Sequence, residues 1–370
     1  MENYNVRLNP GLAFIKPYEP GKTIAEAQAV YGEKQFIKLA SNENPLGMSP
    51  KALATLKARA GEAFAYPEVS CWQLRQKLAG LFQLEPDHFI IGAGGDGVIY
   101  SLALTTLSEG AEVIIPQITF PYYEIVAYAC RAKVIRSAMR GYHIDLADIL
   151  SKINEMTRVI WLCNPNNPTG AVITKEELAD FLKAVPDAVL VVHDEVYADF
   201  AEKAIFPDTI DILKGGRKNI FLIRSFSKIY GLAGVRIGFG IGDPELIRLM
   251  YRVRQPFEVS VLAQLAAEAA LDDRDFYRQT LTLTATEKAY LYAELERRRL
   301  SFVPSSTNFI LIETGFQAIK VCEELLKRGI IVRSAHSYHL PTHIRLTIGT
   351  HNQNEIFLKA LDEVLACLKE

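Results

Sequence analysis

Three short segments hold most of the chemically capable side chains of this chain, and each follows an apolar run. They are Asn164-Pro165-Asn166-Asn167-Pro168-Thr169-Gly170, Asp194-Glu195-Val196-Tyr197 and Ser225-Phe226-Ser227-Lys228, with Arg236 eight residues beyond the lysine. A glycine turn, Gly92-Ala93-Gly94-Gly95-Asp96-Gly97, precedes them between an apolar run and a helical pattern. A lysine, a buried acid, amide and phenol donors, a cation and free N–H groups are what pyridoxal 5′-phosphate chemistry requires. The lysine forms an imine with the aldehyde, the acid keeps the pyridine nitrogen protonated, donors hold the phenolate oxygen, and the cation and N–H groups hold the phosphate. Lys228, Asp194, Tyr197 with Asn167, and Arg236 with the Gly95–Asp96 amides are the candidates for these roles. A lysine drawn out of bulk water beside other cations is also a better nucleophile, because its pKa falls.

Each residue alone has a blander explanation. Lys228 would be a solvated surface lysine, Asp194 a helix cap, Tyr197 a core tyrosine, Asn167 a turn residue and Arg236 half of a surface ion pair. Their order and their positions after strands point to one site. The glycine turn also fits the dinucleotide fingerprint G-x-G-x-x-G, but the next strand ends Ile115-Pro116-Gln117, without the acid that would hold a ribose hydroxyl. What remains is a phosphate seat, in which a glycine turn directs free N–H groups and a helix dipole at an anion. His336, His339 and His343 could suggest a metal, but Pro341 and the β-rich surroundings separate them, and no metal is expected.

The elements that must position these residues alternate. His88–Gly92, Val113–Pro116, Val159–Cys163, Val189–His193, Ile220–Arg224 and Val235–Gly240 read as strands, with helices Asp96–Leu107, Tyr122–Cys130 and Thr174–Ala184 between them. Thr174 and Glu177 form a capping box. Strands that are apolar throughout, separated by helices, predict a mostly parallel sheet covered on both faces, whose carboxyl ends form a ligand crevice. Beyond Asp243 the pattern becomes helix-rich over Glu245–Arg254 and Val259–Leu300. A smaller αβ pattern follows, with strands Asn308–Ile312, Ile330–Val332 and His343–Ile348 and helices Phe316–Arg328 and Asn352–Leu368. The expected division is an N-terminal arm over 1–45 that joins the smaller domain, a large cofactor-binding domain over 46–255, and a small α/β domain with its linking helix over 256–370.

The 370 residues exceed what one compact core usually spans. A net charge of −2 with both signs dispersed argues against a nucleic-acid binder that relies on a basic surface. The polar start MENYNVRLNP lacks a secretory pattern, and no apolar run approaches a membrane span. Five scattered cysteines without a C-x-x-C pair predict reduced thiols in a cytoplasmic protein.

From Lys38-Leu39-Ala40-Ser41-Asn42-Glu43-Asn44-Pro45 to Arg345-Leu346-Thr347-Ile348-Gly349 the chain resembles the class I/II aminotransferases of fold type I, most closely their histidinol-phosphate branch. The combination N-P-N-N-P-T-G, D-E-V-Y and S-F-S-K carries the resemblance. It implies a mostly parallel seven-stranded sheet domain with a second, smaller α/β domain. By motif it also implies Lys228 as the cofactor lysine, Asp194 at the pyridine nitrogen, Tyr197 and Asn167 at the ring oxygen, and Phe120 stacked on the ring. Gly95, Asp96, Ser225 and Arg236 would hold the phosphate. Tyr66 would reach the cofactor phosphate of a partner subunit, which implies a homodimer with shared active sites. Tyr18, Asn44, Arg333 and Arg345 would bind substrate, and two arginines with a tyrosine suit a phosphate dianion. The implied reaction is ping-pong transfer between a small-molecule amino donor and a 2-oxo acid, 2-oxoglutarate being the acceptor. The usual G-S-D-E turn reads Gly94-Gly95-Asp96-Gly97 here, so a serine and a glutamate are missing. Ser337 and His339 replace usual glycines.

Three other activities fit the same residues. An aromatic amino-acid aminotransferase would bind an α-carboxylate at Arg345 and prefer phenylalanine or tyrosine. A decarboxylase of a phosphorylated amino acid would release CO₂. A regulatory module would bind the cofactor without turnover.

Overall fold

The computed structural model describes residues 6–369, so the first five residues of the polar N-terminal stretch lie outside it. Its large sheet has seven strands in the order Phe89–Gly92, Gly238–Ile241, Ile220–Ser225, Leu190–Asp194, Thr157–Cys163, Glu112–Pro116 and Lys133–Ser137. All neighbouring pairs are parallel except those of Gly238–Ile241, which runs antiparallel to both its neighbours. Alternate residues feed two cores. Ile91, Ile160, Leu162, Val191 and Leu222 face one side with the helices Trp72–Phe82 and Lys175–Ala184. Ile90, Val159, Trp161, Val192 and Phe221 face the other with Gly94–Thr106 and Tyr122–Ala129. A sheet buried on both faces is why these strands read as unbroken apolar runs.

A second sheet of five strands has the order Ile37–Leu39, Ile330–Ser334, His343–Thr347, Phe309–Glu313 and Ser301–Val303. The N-terminal strand pairs in parallel with Ile330–Val332, which ties the start of the chain to its end. Leu291, Leu295, Val321, Leu325, Phe357 and Leu361 from three helices cover this sheet. Among the described residues no helix is long and apolar enough to cross a membrane.

Four expectations are corrected. The helix expected over Val259–Leu300 is two, Val261–Leu271 and Arg274–Arg297. The break is Asp273, whose carboxylate caps the second helix at Phe276 N–H and accepts a 2.6 Å hydrogen bond from Ser49. The alanines Ala263, Ala266, Ala267 and Ala270 of the first helix pack in the large-sheet core. The strand expected at Val235–Gly240 starts only at Gly238, after a 3₁₀ turn over Ala233–Val235 and Arg236 at φ 61°. The helix expected at Glu245–Arg254 runs Pro244–Met250, and the one expected from Asp96 begins earlier, at Gly94.

Candidate active site

Because the strands are parallel, their carboxyl ends share one edge of the sheet. The antiparallel strand Gly238–Ile241 begins at that same edge, so Arg236 arrives there by preceding its strand. Gly238 allows the approach: a Cβ on it would lie 2.7 Å from the Gly94 carbonyl carbon and the Gly95 nitrogen. A cavity of about 280 Å³ opens at this edge. Its walls include Tyr18, Gly95, Asp96, Phe120, Asn167, Asp194, Tyr197, Ser225, Lys228, Arg236, Arg333 and Arg345. Twelve of the fourteen residues singled out from the sequence therefore meet in one place.

Asp194 ends its strand at 4% exposure. Its Oδ2 accepts a 2.5 Å hydrogen bond from the Tyr123 hydroxyl and its Oδ1 a 3.1 Å bond from Val196 N–H. Burial lifts its pKa to about 6, against the pull of those two donors. Lys228 Nζ donates to the Ser41 carbonyl at 3.1 Å and lies 5.9 Å from the centre of the Tyr197 ring. Burial, reinforced by the Arg345 charge, brings its pKa down to about 8. The Tyr197 hydroxyl accepts from Asn42 Nδ2 at 2.8 Å, which leaves its own proton to donate elsewhere. Burial pushes its pKa well up, so it stays a donor.

Asn167 Oδ1 accepts from Arg345 Nη1 at 2.5 Å, and Arg345 Nη2 donates to the Ala40 carbonyl at 2.8 Å. The buried Nε of Arg345 has no partner among the described residues. At the other end of the cavity Arg236 pairs with Asp96 at 3.1 Å. Burial raises the Asp96 carboxyl against that pairing. Ser225 Oγ accepts from Ser227 N–H and so keeps its hydrogen to donate. Phe120 stands edge-on to Tyr123 and Tyr18, at 5.5 and 6.2 Å between ring centres.

Two residues stand apart. Asn44 does not line the cavity. Its Nδ2 instead donates to the Lys228 and Ile229 carbonyls, each at 3.2 Å, and to Thr280 Oγ1 at 3.0 Å, so it braces the lysine's turn from behind. Tyr66 is 82% exposed and packs on Phe257 outside the cavity of its own chain. Sequence reasoning missed Asn42, which lines the cavity two residues before Asn44, and Tyr123. The only signal for Asn42 was its type, since asparagine tolerates the left-handed φ of 54° found there. The three histidines diverge: His343 is buried against the Tyr142 hydroxyl, while His336 and His339 are exposed. Among the described residues no cluster of three or more His, Cys, Asp or Glu could hold a metal.

Residues 34–361 match the family described as aminotransferase class I and II. The chain belongs to that family. As a class I/II aminotransferase it is a pyridoxal-phosphate-dependent transaminase. It is 42% identical over 352 residues to the histidinol-phosphate aminotransferase of Moorella thermoacetica, covering 95% of this chain and 91% of that protein. It is 41% identical to histidinol-phosphate aminotransferase 2 of Carboxydothermus hydrogenoformans, covering 96% and 98%. The histidinol-phosphate aminotransferase of Sinorhizobium meliloti, solved with pyridoxal-5′-phosphate, superposes over the whole of both chains with a TM-score of 0.90 at 25% identity.

The aminotransferase cavity fits its cofactor on the chemistry of its donors. Its lining supplies a carboxylate, a cation beside a helix N-terminus, amide and phenol side chains, an aromatic ring and a lysine of lowered pKa. The turn that departs from the family pattern keeps this shape. A Cβ on Gly95 would make only ordinary contacts, 3.5 Å from Ile223 and 3.7 Å from Val196. At Gly97 the space is filled by Glu258, whose Oε2 would lie 2.9 Å from a Cβ there and accepts from Ala93 N–H at 3.4 Å.

Proposed function

We propose that this aminotransferase interconverts L-histidinol phosphate and imidazole acetol phosphate, with glutamate and 2-oxoglutarate as the second pair. The observation that carries the substrate is the convergence of Arg345, Arg333 and Tyr18 on the cavity that holds Lys228. One monoanionic carboxylate needs one arginine, whereas two guanidiniums and a phenol match a phosphate dianion. The curated relatives named above support the same choice.

The bound cofactor supplies an aldehyde and an electron-accepting ring. In this reading Asp194 holds a proton at the ring nitrogen, and Tyr197 and Asn167 donate to the ring oxygen. Phe120 stacks on the ring, while Arg236, Ser225 and the Gly95 and Asp96 amides bind the phosphate. Asn44 acts through the Lys228 turn rather than on substrate. Lys228 Nζ, its pKa lowered to about 8, takes the substrate's Cα proton and returns one on the way to product. Arg345 and Arg333 bind the anionic end of the substrate, with Tyr18 closing over it.

We assign Tyr66 to the cofactor phosphate of a second copy, which makes the working unit a homodimer with shared sites. Its exposure in the single chain supports this. Five free thiols support residence in the reducing cytoplasm. We assign residues 46–255 to the large cofactor-binding domain and 256–370 to the small one, which the N-terminal arm 1–45 joins.

A spectral half-reaction screen of the holoenzyme tests the substrate. Histidinol phosphate should convert the cofactor with a higher kcat/KM than phenylalanine, tyrosine or phosphothreonine. Preference for an aromatic amino acid, or release of CO₂ from phosphothreonine, overturns the assignment.

A further inference from the structure

Tyr123 takes no part in the site as read from the sequence, yet it touches both ends of the ring-binding apparatus. It lies on the first turn of Tyr122–Ala129, three residues after Phe120. Its ring is fully buried, stacked on Trp161 at 4.7 Å and 11° between planes, and met edge-on by Phe120 at 5.5 Å. That packing leaves the phenol little rotational freedom. Its hydroxyl reaches Asp194 Oδ2 at 2.5 Å, in the range of a charge-assisted O–H···O bond.

Asp194 needs such a partner. It is buried, and its hydrogen bonds come only from Tyr123 and Val196 N–H among the described residues. Its strand neighbours are Cys163 on one side and Ile223 on the other. Asp96, from the helix Gly94–Thr106, disfavours its charge, and His193 on its own strand favours it. No lysine or arginine hydrogen-bonds its carboxylate among the described residues. A buried carboxylate without a cation stays charged only through hydrogen bonds.

We propose that Tyr123 is the positioning residue for Asp194: its hydroxyl orients the carboxylate and supports the ionised form that a protonated ring nitrogen needs. The inference rests on the assignment of Asp194 to that nitrogen. The short segment Phe120–Tyr123, from the loop into the first turn of its helix, then sets both the aromatic assigned to the ring face and the donor that steadies the acid.

Infrared titration of the full chain without cofactor tests this. The carboxylic acid band of Asp194 is assigned by its loss in Asp194→Asn, and the cofactor dissociation constant is measured in parallel. Tyr123→Phe keeps the ring and its stack and removes only the hydroxyl. The band's midpoint should move to higher pH, and pyridoxal phosphate should bind about tenfold more weakly, as expected for a lost hydrogen bond to a charged group. Incorporation of fluorotyrosine, which acidifies the phenol and strengthens its donation, should move the midpoint down; this arm stands if Tyr123→Phe does not fold. A midpoint that neither substitution moves overturns the inference. Failure of the wild-type chain to bind pyridoxal phosphate at all would instead overturn the cofactor assignment.

Discussion

Arg345 and Asn167, 178 positions apart in the chain, are joined side chain to side chain, the guanidinium donating to the amide oxygen at 2.5 Å. The contact decides which way the amide faces. With Oδ1 committed to Arg345, Asn167 Nδ2 is turned to other partners. The arginine assigned to substrate thus also orients an amide assigned to the ring oxygen. Arg345→Lys cannot hold Asn167 and the Ala40 carbonyl together, because an ammonium lacks the planar fork. Both substrate KM and the cofactor dissociation constant should rise, the latter by a factor on the order of ten, the worth of one hydrogen bond to a charged group. Spectral titration and steady-state kinetics check this. A rise in KM alone would mean that the amide keeps its orientation without the arginine.

The lowered pKa of Lys228 predicts how the cofactor-free enzyme captures pyridoxal phosphate. The reactive form is the neutral amine. With a pKa of about 8, roughly a quarter of the amine is neutral at pH 7.5, against about a thousandth for an ordinary lysine. The capture rate followed by stopped-flow absorbance should therefore rise with pH and level off above about 8. A rate still climbing at pH 10 would place the lysine in ordinary solvent. Lys228→Ala should bind the cofactor without the absorbance change and show no transamination.

Much of this site could be read before any coordinates, and the reasons are physical. In strands buried on both faces polar residues gather at the ends, so Asp194 and Ser225 stand out where the apolar runs give way to His193-Asp194 and Arg224-Ser225. What could not be read depends on backbone conformation or on distant partners. Asn42 and Asn44 share one short run, and only the left-handed φ at Asn42 sends that one into the cavity. The helix break falls in the charged run Asp272-Asp273-Arg274-Asp275, which a solvated helix turn would equally carry; the cap on Phe276 and the hydrogen bond from Ser49 make it a terminus. Tyr123 looked like one more apolar position on a helix, and only its distance to Asp194 gives it another part.

Asp194 should carry a stability penalty that its function requires. Its folded-state pKa is raised to about 6 from an ordinary value near 4. Between those values the folded chain binds more protons than the unfolded one, so its stability falls as pH rises through the window, and the full cost applies above pH 6. Asp194→Asn removes the buried charge while keeping an oxygen for Tyr123. The cofactor-free protein should gain about 2–3 kcal/mol above pH 6 and almost nothing below pH 4. Denaturant melts at the two pH values measure the gain, and the variant should lose transamination. Equal stability at both would mean that the carboxylate is solvated.

Glu195 is the opposite case. It is fully buried beside Asp194, and burial would raise it, but Arg224 and His193 outweigh that and hold it at about 2. Its Oε2 accepts from Arg224 Nε at 2.7 Å, and its Oε1 lies 2.8 Å from His193 Nδ1. The pair joins the strand ends that carry Asp194 and Ser225. Glu195→Gln leaves the Arg224 charge without its counterion and should cost about 3–5 kcal/mol, the usual penalty for breaking a buried pair. Because the folded pKa is depressed, the wild-type contribution is present above about pH 4.5 and lost as pH falls toward 2. In urea melts the gap between the two proteins at pH 7 should shrink to roughly half or less at pH 3. A constant difference would assign the loss to packing.

The departure of the glycine turn from the family pattern predicts a swap between two positions. Glu258 comes from a distant segment, is tied to Arg254 at 2.6 Å with both side chains buried, and fills the space that a side chain at Gly97 would need. Gly97→Glu should therefore force two carboxylates into one site. Overpacking of this kind costs about 1–3 kcal/mol before like-charge repulsion is added. The cofactor should bind more weakly as well, since Gly97 lies on the first turn of the helix whose N-terminus faces the phosphate seat. Adding Glu258→Ala should recover a large part of both losses, because the new glutamate can then turn toward Arg254. A double-mutant cycle on thermal stability and cofactor affinity measures the recovery. A favourable coupling energy beyond about 1 kcal/mol would establish that Glu258 occupies, from outside the turn, the place of a side chain at Gly97. Strict additivity would leave Gly97 as a close-packed glycine and nothing more.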